Sequence, residues 1–211
     1  MSSKLKRYSP QEERWNFITH AAGVILASAG GIPLFFLGLR AGDKLFSAGL
    51  FFYWLSLLVM FGASSFYHFT DSLWLKLHAR KIDHCSIYLL ITGTYAPLML
   101  GAVKNLTGNV ILISLIILTL LGISGKFFLP EKFHRLEVII YLAMGWMCVI
   151  VAGKLINSMS HTGLVLLLAG GLMYSGGVIF YVIKKEFFHM IWHIFVLLGA
   201  ILQYLSILTI A

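Results

Sequence analysis

The chain has 211 residues, of which 59% are hydrophobic and only 11% charged, against about 25% charged in an average soluble domain. The apolar residues come in long blocks and not in amphipathic stripes, which excludes a soluble globular domain and marks an integral membrane protein. A formal net charge of +8 would suggest nucleic acid in a soluble protein, but here the cations fall between the blocks, where they set topology and meet anionic lipid; no nucleic-acid partner is expected.

The first segment, 1–15, carries Lys4, Lys6 and Arg7, as the start of a signal peptide would. Glu12 and Glu13 follow, and the next apolar block is too long for a signal core and lacks a small-x-small cleavage site, so it reads as a first span that is kept. Seven blocks are long enough to cross a hydrocarbon core of about 30 Å. They cover 16–39, 45–67, 82–101, 108–128, 134–153, 163–183 and 190–210. The expected fold is all-α: one bundle of seven transmembrane helices over 16–211, with short loops and no separate soluble domain. Pro33 and Pro97 fall inside the first and third helices, where neighbouring helices can tolerate a kink. Gly170-Gly171 and Ser175-Gly176-Gly177 give the sixth helix small-x-x-x-small spacing, a sign of close helix packing. Cys85 and Cys148 form no disulfide framework and no Cys-x-x-Cys metal motif.

Seven spans put the N-terminus and the even-numbered loops on one side. That side carries Lys4, Lys6, Arg7 and Arg14, then Lys76, Arg80 and Lys81, then Lys126, Lys132 and Arg135, then Lys184 and Lys185. The opposite side carries only Arg40, Lys44, Lys104 and Lys154. The positive-inside rule therefore predicts a cytoplasmic N-terminus and an external C-terminus. This is opposite to an ordinary G-protein-coupled receptor. The last helix also lacks the mid-span lysine that a retinal protein would need.

The ionisable residues collect at one end of these spans. Glu13, Asn16 and His20 open the first; Ser64, Ser65 and His68 close the second; Asp83 and His84 open the third; Glu137 opens the fifth; His189 and His193 open the last. Interfacial histidines scattered at random would populate both ends, yet His161 stands alone at the other. In His189-Met-Ile-Trp-His193 the two imidazoles are at i and i+4, one above the other on a helix face, a spacing that lets both reach one metal ion. The plain alternative is a pair touching headgroups and water, but imidazoles are costly within a bilayer and the convergence favours a metal. Zinc suits three imidazoles with an open fourth position, and the candidate ligands are His68, His189 and His193. Asp83 would hold the metal-bound water and act as general base. Ser64, four residues before His68, either hydrogen-bonds near the metal or serves helix packing. His20 is a lesser ligand candidate, with a headgroup or an Asn16 contact as the alternative. His84 points about 100° away from Asp83 on a helix and is not expected to be a ligand. His78 and His134 read as loop residues, and Glu13 and Glu137 as partners of nearby lysines or arginines. Tyr67, Trp74, Trp146 and Trp192 fit interface anchoring or core packing.

Five pieces, in order along the chain, carry a resemblance: Glu13-Arg-Trp-Asn16-Phe-Ile-Thr19-His20-Ala-Ala-Gly23, Ser64-Ser-Phe-Tyr-His68, the run Lys81-Ile-Asp83 through Gly93-Thr-Tyr-Ala-Pro97, Tyr141-Leu-Ala-Met-Gly-Trp146, and His189-Met-Ile-Trp-His193. The chain resembles the hemolysin III family, the bacterial branch of the progestin and adiponectin receptor (PAQR) superfamily. The resemblance implies seven helices in a bacterial cytoplasmic membrane and a zinc site in the cytoplasmic leaflet. It also implies that His68, His189 and His193 bind zinc and that Asp83 contacts the bound water. The superfamily's receptors resemble ceramidases, which implies amide hydrolysis of membrane lipids. The bacterial branch carries a name that implies haemolysis by pore formation and is linked to membrane lipid homeostasis. Three functions follow as expectations: a zinc-dependent lipid hydrolase, a regulator or receptor of membrane state with structural zinc, and a pore, monomeric or oligomeric. Against the pore, the outer half of the bundle offers only Ser47, Asn109, Ser114, Gln203 and Ser206 as polar lining and no charge at depth.

Overall fold

The computed structural model describes residues 8–129 and 136–210. Among them are seven helices long and apolar enough to cross a membrane, and no strand. The helices are α1 (Pro10–Ala41), α2 (Lys44–Phe69), α3 (Leu73–Pro97, prolonged by a π-helical turn Leu98–Val103) and α4 (Leu106–Phe128). The fifth span is composite: α5 (Glu137–Gly145), a 3₁₀ stretch Trp146–Val151 and α6 (Ala152–Ser158). The last two are α7 (His161–Val182) and α8 (Phe188–Ile207).

Local chemistry sets the boundaries. Ser9 caps α1 by accepting the Glu12 amide at 3.2 Å, and Pro10 supplies the preset first turn. The helix therefore begins before the apolar block expected at 16. Gly42, at φ 61°, closes it in the left-handed region that glycine enters without penalty. Asp43, Asn105 and Ser160 cap α2, α4 and α7 in the same way as Ser9. The third helix starts at Leu73 and not at 82, so Lys76, His78, Arg80 and Lys81 ride on it. His78 is thus helical and not in a loop, its ring against Trp74 at 4.4 Å. His134 lies outside the described residues. Pro97 falls where α3 passes into its π-helical turn, one of the recognised ways a spanning helix absorbs proline.

α3 is the most buried of the spans. α2 packs along it, α1 along α2, and α8 returns between α1 and α7. This circuit brings the beginning of α1, the end of α2 and the beginning of α8 to one corner. A Cβ on Gly23 of α1 would run into the Phe61 ring of α2, so glycine there permits the close approach. As the small-residue spacing predicts, Gly170 and Gly177 press α7 against Gln203, Trp192 and Phe195 of α8. Ile25, Phe35, Leu45, Leu120 and Ile139 are each more than half exposed, as lipid-facing side chains are. In the outer half, Ser47, Gln203 and Ser206 donate to the carbonyls of Gly38, Leu167 and Gly163.

Candidate metal centre

Three histidines meet at that corner. His68 ends α2, while His189 and His193 lie one turn apart at the start of α8, and all three are buried. One ligand nitrogen from each lies within 4.8 Å of the others. The Nε2 atoms of His189 and His193 are 3.2 Å apart. Two nitrogens on one tetrahedral zinc, each at about 2.0–2.1 Å, would sit about 3.3 Å apart.

The backs of the rings are held by oxygens. His68 Nδ1 is 2.6 Å from Glu13 Oε2, a carboxylate that Lys76 Nζ also contacts at 2.8 Å through Oε1. A carboxylate only accepts, so Nδ1 carries the proton and Nε2 keeps its lone pair. His193 Nδ1 donates to the Asn16 carbonyl at 3.2 Å and lies 3.3 Å from the Thr19 hydroxyl, which leaves its Nε2 as the lone-pair atom too. His68 Nε2 is buried and has no hydrogen-bond partner among the described residues. The buried lone pair of His68, set beside two further imidazoles inside a membrane protein, is costly without a cation there. The donor set therefore fits a divalent metal that prefers imidazole, with the carboxylate-to-histidine support common at such sites. The Glu13 expectation is met by Lys76 and exceeded by His68.

Ser64 lies one turn before His68 and is 1% exposed, with no partner for its hydroxyl among the described residues. Asp83 is buried on α3 and faces an apolar cavity that His20 also lines. His20 makes no hydrogen bond to the Asn16 side chain, and neither of its ring nitrogens has a hydrogen-bond partner among the described residues. It is buried, stacked on His193 at 3.7 Å and 12°, with Phe61 edge-on at 5.2 Å, and it lies outside the three-histidine group. It braces the ring of His193. His84 also stays outside: its Nδ1 lies 3.1 Å from Glu137 Oε2 and 2.9 Å from Lys126 Nζ.

Several contacts could not be read from the sequence. Tyr8 stacks on His189 at 4.8 Å and closes the corner from the polar end. Burial, reinforced by Tyr67, Tyr181 and the carboxylates of Glu13 and Glu12, pushes its phenol above the ordinary range, so it is neutral. Glu12 Oε1 accepts the Phe187 amide at 2.8 Å. Phe187 has φ 59°, a conformation rare for a bulky residue, and this tie holds the turn that aims the first residues of α8. The available signal was the pair Glu12-Glu13 at a helix start, but its two partners are distant in sequence.

Two cavities flank the corner. One, of about 880 Å³, has a mixed lining in which Glu13, Arg14, His68 and Lys76 stand beside apolar residues such as Phe17 and Phe69. The other, of about 380 Å³, is almost wholly apolar and runs between α3, the fifth span, α7 and α8 from Asp83 to Gln203. From Asp83 to Leu98 on its α3 wall the rise is about 22 Å.

Comparison with known proteins covers nearly the whole chain. The haemolysin-III related family model matches residues 8–204. A hemolysin-3 homolog of Bacillus subtilis (strain 168) is 36% identical over 202 residues, 95% of each chain. Hemolysin-3 of Bacillus cereus is 32% identical over 211 residues, 99% of this chain and 96% of the relative. The human monocyte to macrophage differentiation factor is 31% identical over 219 residues, 95% of this chain and 86% of the relative. The seven spans, the histidine corner and these matches lead to one conclusion: the chain belongs to the haemolysin-III related family of multi-pass membrane proteins.

Proposed function

We propose that this protein is a zinc-dependent membrane hydrolase acting on the amide or ester of a lipid, held in a bacterial cytoplasmic membrane with the histidine corner in the cytoplasmic leaflet. The observation that carries the reading is the partnerless Nε2 of buried His68, turned to the Nε2 pair of His189 and His193 beside a lipid-sized apolar cavity with a carboxylate on its wall. Zinc held there would supply Lewis acidity and a water that ionises near neutral pH. His68, His189 and His193 would hold the ion, Glu13 and Asn16 orienting the first and last of them through Nδ1. The apolar cavity would take the lipid chain and exclude bulk water from it, while the cavity beside His68, with Glu13, Arg14 and Lys76 on its wall, would admit the water consumed. Asp83 would accept a proton from that water and return it to the departing group. Ser64, next to His68 with a free hydroxyl direction, would hydrogen-bond near the reacting carbonyl.

The test is lipid turnover by purified protein, with and without a chelator, in the wild type and in Asp83→Asn. The amide can hydrogen-bond but cannot take a proton. The variant is expected to keep its fold and most of its zinc and to lose about 10²–10⁴-fold in rate. Wild-type turnover in Asp83→Asn would remove Asp83 from the mechanism. No turnover in the wild type, with zinc bound, would favour a regulator in which zinc is structural. The pore reading draws on the hemolysin name of two relatives. It ranks below hydrolysis because Ser47, Gln203 and Ser206 spend their donors on backbone carbonyls.

A further inference from the structure

The apolar cavity contains two polar atoms to which hydrolysis at the histidine corner gives no role. The Tyr174 hydroxyl and Gln203 Oε1 are buried on its wall and have no hydrogen-bond partner among the described residues. Gln203 is 6% exposed, and its amide is fixed from the other side: Nε2–H donates to the Leu167 carbonyl at 3.0 Å. Turning the amide over would break that bond, so Oε1 stays as the acceptor left to the cavity. The side chain lies over Gly170 of α7, where a Cβ would collide with it, and the Tyr174 ring lies over Gly199 of α8 in the same manner. α7 and α8 are antiparallel neighbours, so the two glycine contacts are successive rungs, about 6 Å apart along the axes. Glycine at both rungs is what lets these long side chains stand between the helices.

His20 and Asp83 line the end of the cavity nearest the histidine corner, and three hydroxyls along the rest of the wall are already satisfied. Thr94 donates to the Leu90 carbonyl, Ser175 to Gly171 and Tyr95 to Gly145. The Gly199 rung and Gln203 lie beyond His193 along α8 by about 9 and 15 Å respectively. A phenol offers a proton and an amide oxygen takes one. An alcohol matches both at once, whereas a methylene matches neither and a ketone cannot donate.

The geometry points to a second polar subsite, formed by Tyr174 and Gln203, that holds a hydroxyl in the middle of an acyl chain. The hydroxyl donates to Gln203 Oε1 and accepts from the Tyr174 O–H. This rests on reading the cavity as the acyl-chain site of the proposed hydrolase, and it names the preferred substrate class as lipids with a hydroxylated chain.

The experiment is equilibrium binding to the full-length protein in detergent micelles, with no turnover involved. Stearate and a mid-chain hydroxystearate compete against a fluorescent fatty acid. The hydroxylated chain is expected to bind about tenfold tighter, the worth of two net hydrogen bonds. Tyr174→Phe and Gln203→Met are each expected to lose most of that preference while leaving stearate affinity unchanged. Tyr174→Phe removes one oxygen at constant shape, so it carries the test if Gln203→Met fails to fold, as thermal unfolding would reveal. Equal affinity of the two acids in the wild type would overturn the subsite and leave the two atoms with an internal water only. A preference that survives both substitutions would overturn it as well, because the hydroxyl is then held elsewhere. If neither acid displaces the probe, the acyl-chain reading falls and the subsite with it. If the preference is present and the protein hydrolyses no lipid, the subsite stands and only the hydrolase reading falls.

Discussion

His68, Glu13 and Lys76 form one histidine–carboxylate–lysine triad across α2, α1 and α3, and His84, Glu137 and Lys126 form another across α3, α5 and α4. Both lie at the same end of the bundle and both involve buried groups. In the second, Lys126 Nζ reaches the two Glu137 oxygens at 2.9 and 2.8 Å and His84 Nδ1 at 2.9 Å, so the three side chains close on one another. Tyr141 adds a bond to the His84 carbonyl at 2.9 Å. In the first, Lys76 contacts Glu13, Glu13 contacts His68 Nδ1, and the chain of bonds ends with His68 Nε2 turned to two more imidazoles. Residue type does not separate the two. A triad that closes is a strut between helices, while one that ends in a buried, partnerless lone pair beside two more imidazoles is a place for a cation.

The comparison is broken most directly by removing the imidazoles. His189→Ala with His193→Ala is expected to abolish zinc in the purified protein, as measured by metal analysis. Undiminished zinc would mean the ion is held elsewhere. Lys126→Met comes next. It leaves Glu137 buried with only His84, and loss of one partner of a buried pair costs about 3–5 kcal/mol. Denaturant unfolding in micelles should register that loss while zinc per folded molecule stays at the wild-type value. Adding Glu137→Gln should recover much of the stability. A folded Lys126→Met protein without zinc would show that the two triads are one system.

Glu13→Gln is expected to act in the opposite sense to Lys126→Met. Glutamine can still accept from His68, so stability should change little. The weaker acceptor should lower zinc affinity by about 10–100-fold, measured by competition with a chromophoric chelator. Unchanged affinity would reduce Glu13 to a surface partner of Lys76. The gentlest probe leaves the fold untouched. A C-terminal reporter active only in the cytoplasm should be silent, and the same reporter after an N-terminal fusion should be active. Activity at the C-terminus would put both triads on the other side of the membrane.

Much of this was legible from the chain alone because a spanning segment needs no knowledge of its neighbours. Its length answers to the hydrocarbon thickness and its composition to the absence of water, so each block declares itself. Span parity then sorted residues by end, and this is how His68 was grouped with His189 and His193 across more than a hundred positions. Boundaries were less legible. The cap at Ser9 and the charged beginning of α3 lie outside the hydrocarbon, where hydropathy carries no signal.

The sequence by itself determined the all-helical membrane architecture, the uneven distribution of positive charge and the end of the bundle where chemistry gathers, because all three are properties of single segments meeting lipid or water. Only the tertiary structure decided that His20 is buried and stacked on His193, that Lys126 is buried in a closed triad, that Glu13 backs His68, and that a cavity runs from Asp83 to Gln203. Those outcomes depend on which nitrogen or oxygen faces which across neighbouring helices. Helix rotation and approach distance set that, through contacts such as Gly23 on Phe61 and Gly170 on Gln203, and no single segment contains both sides of such a contact.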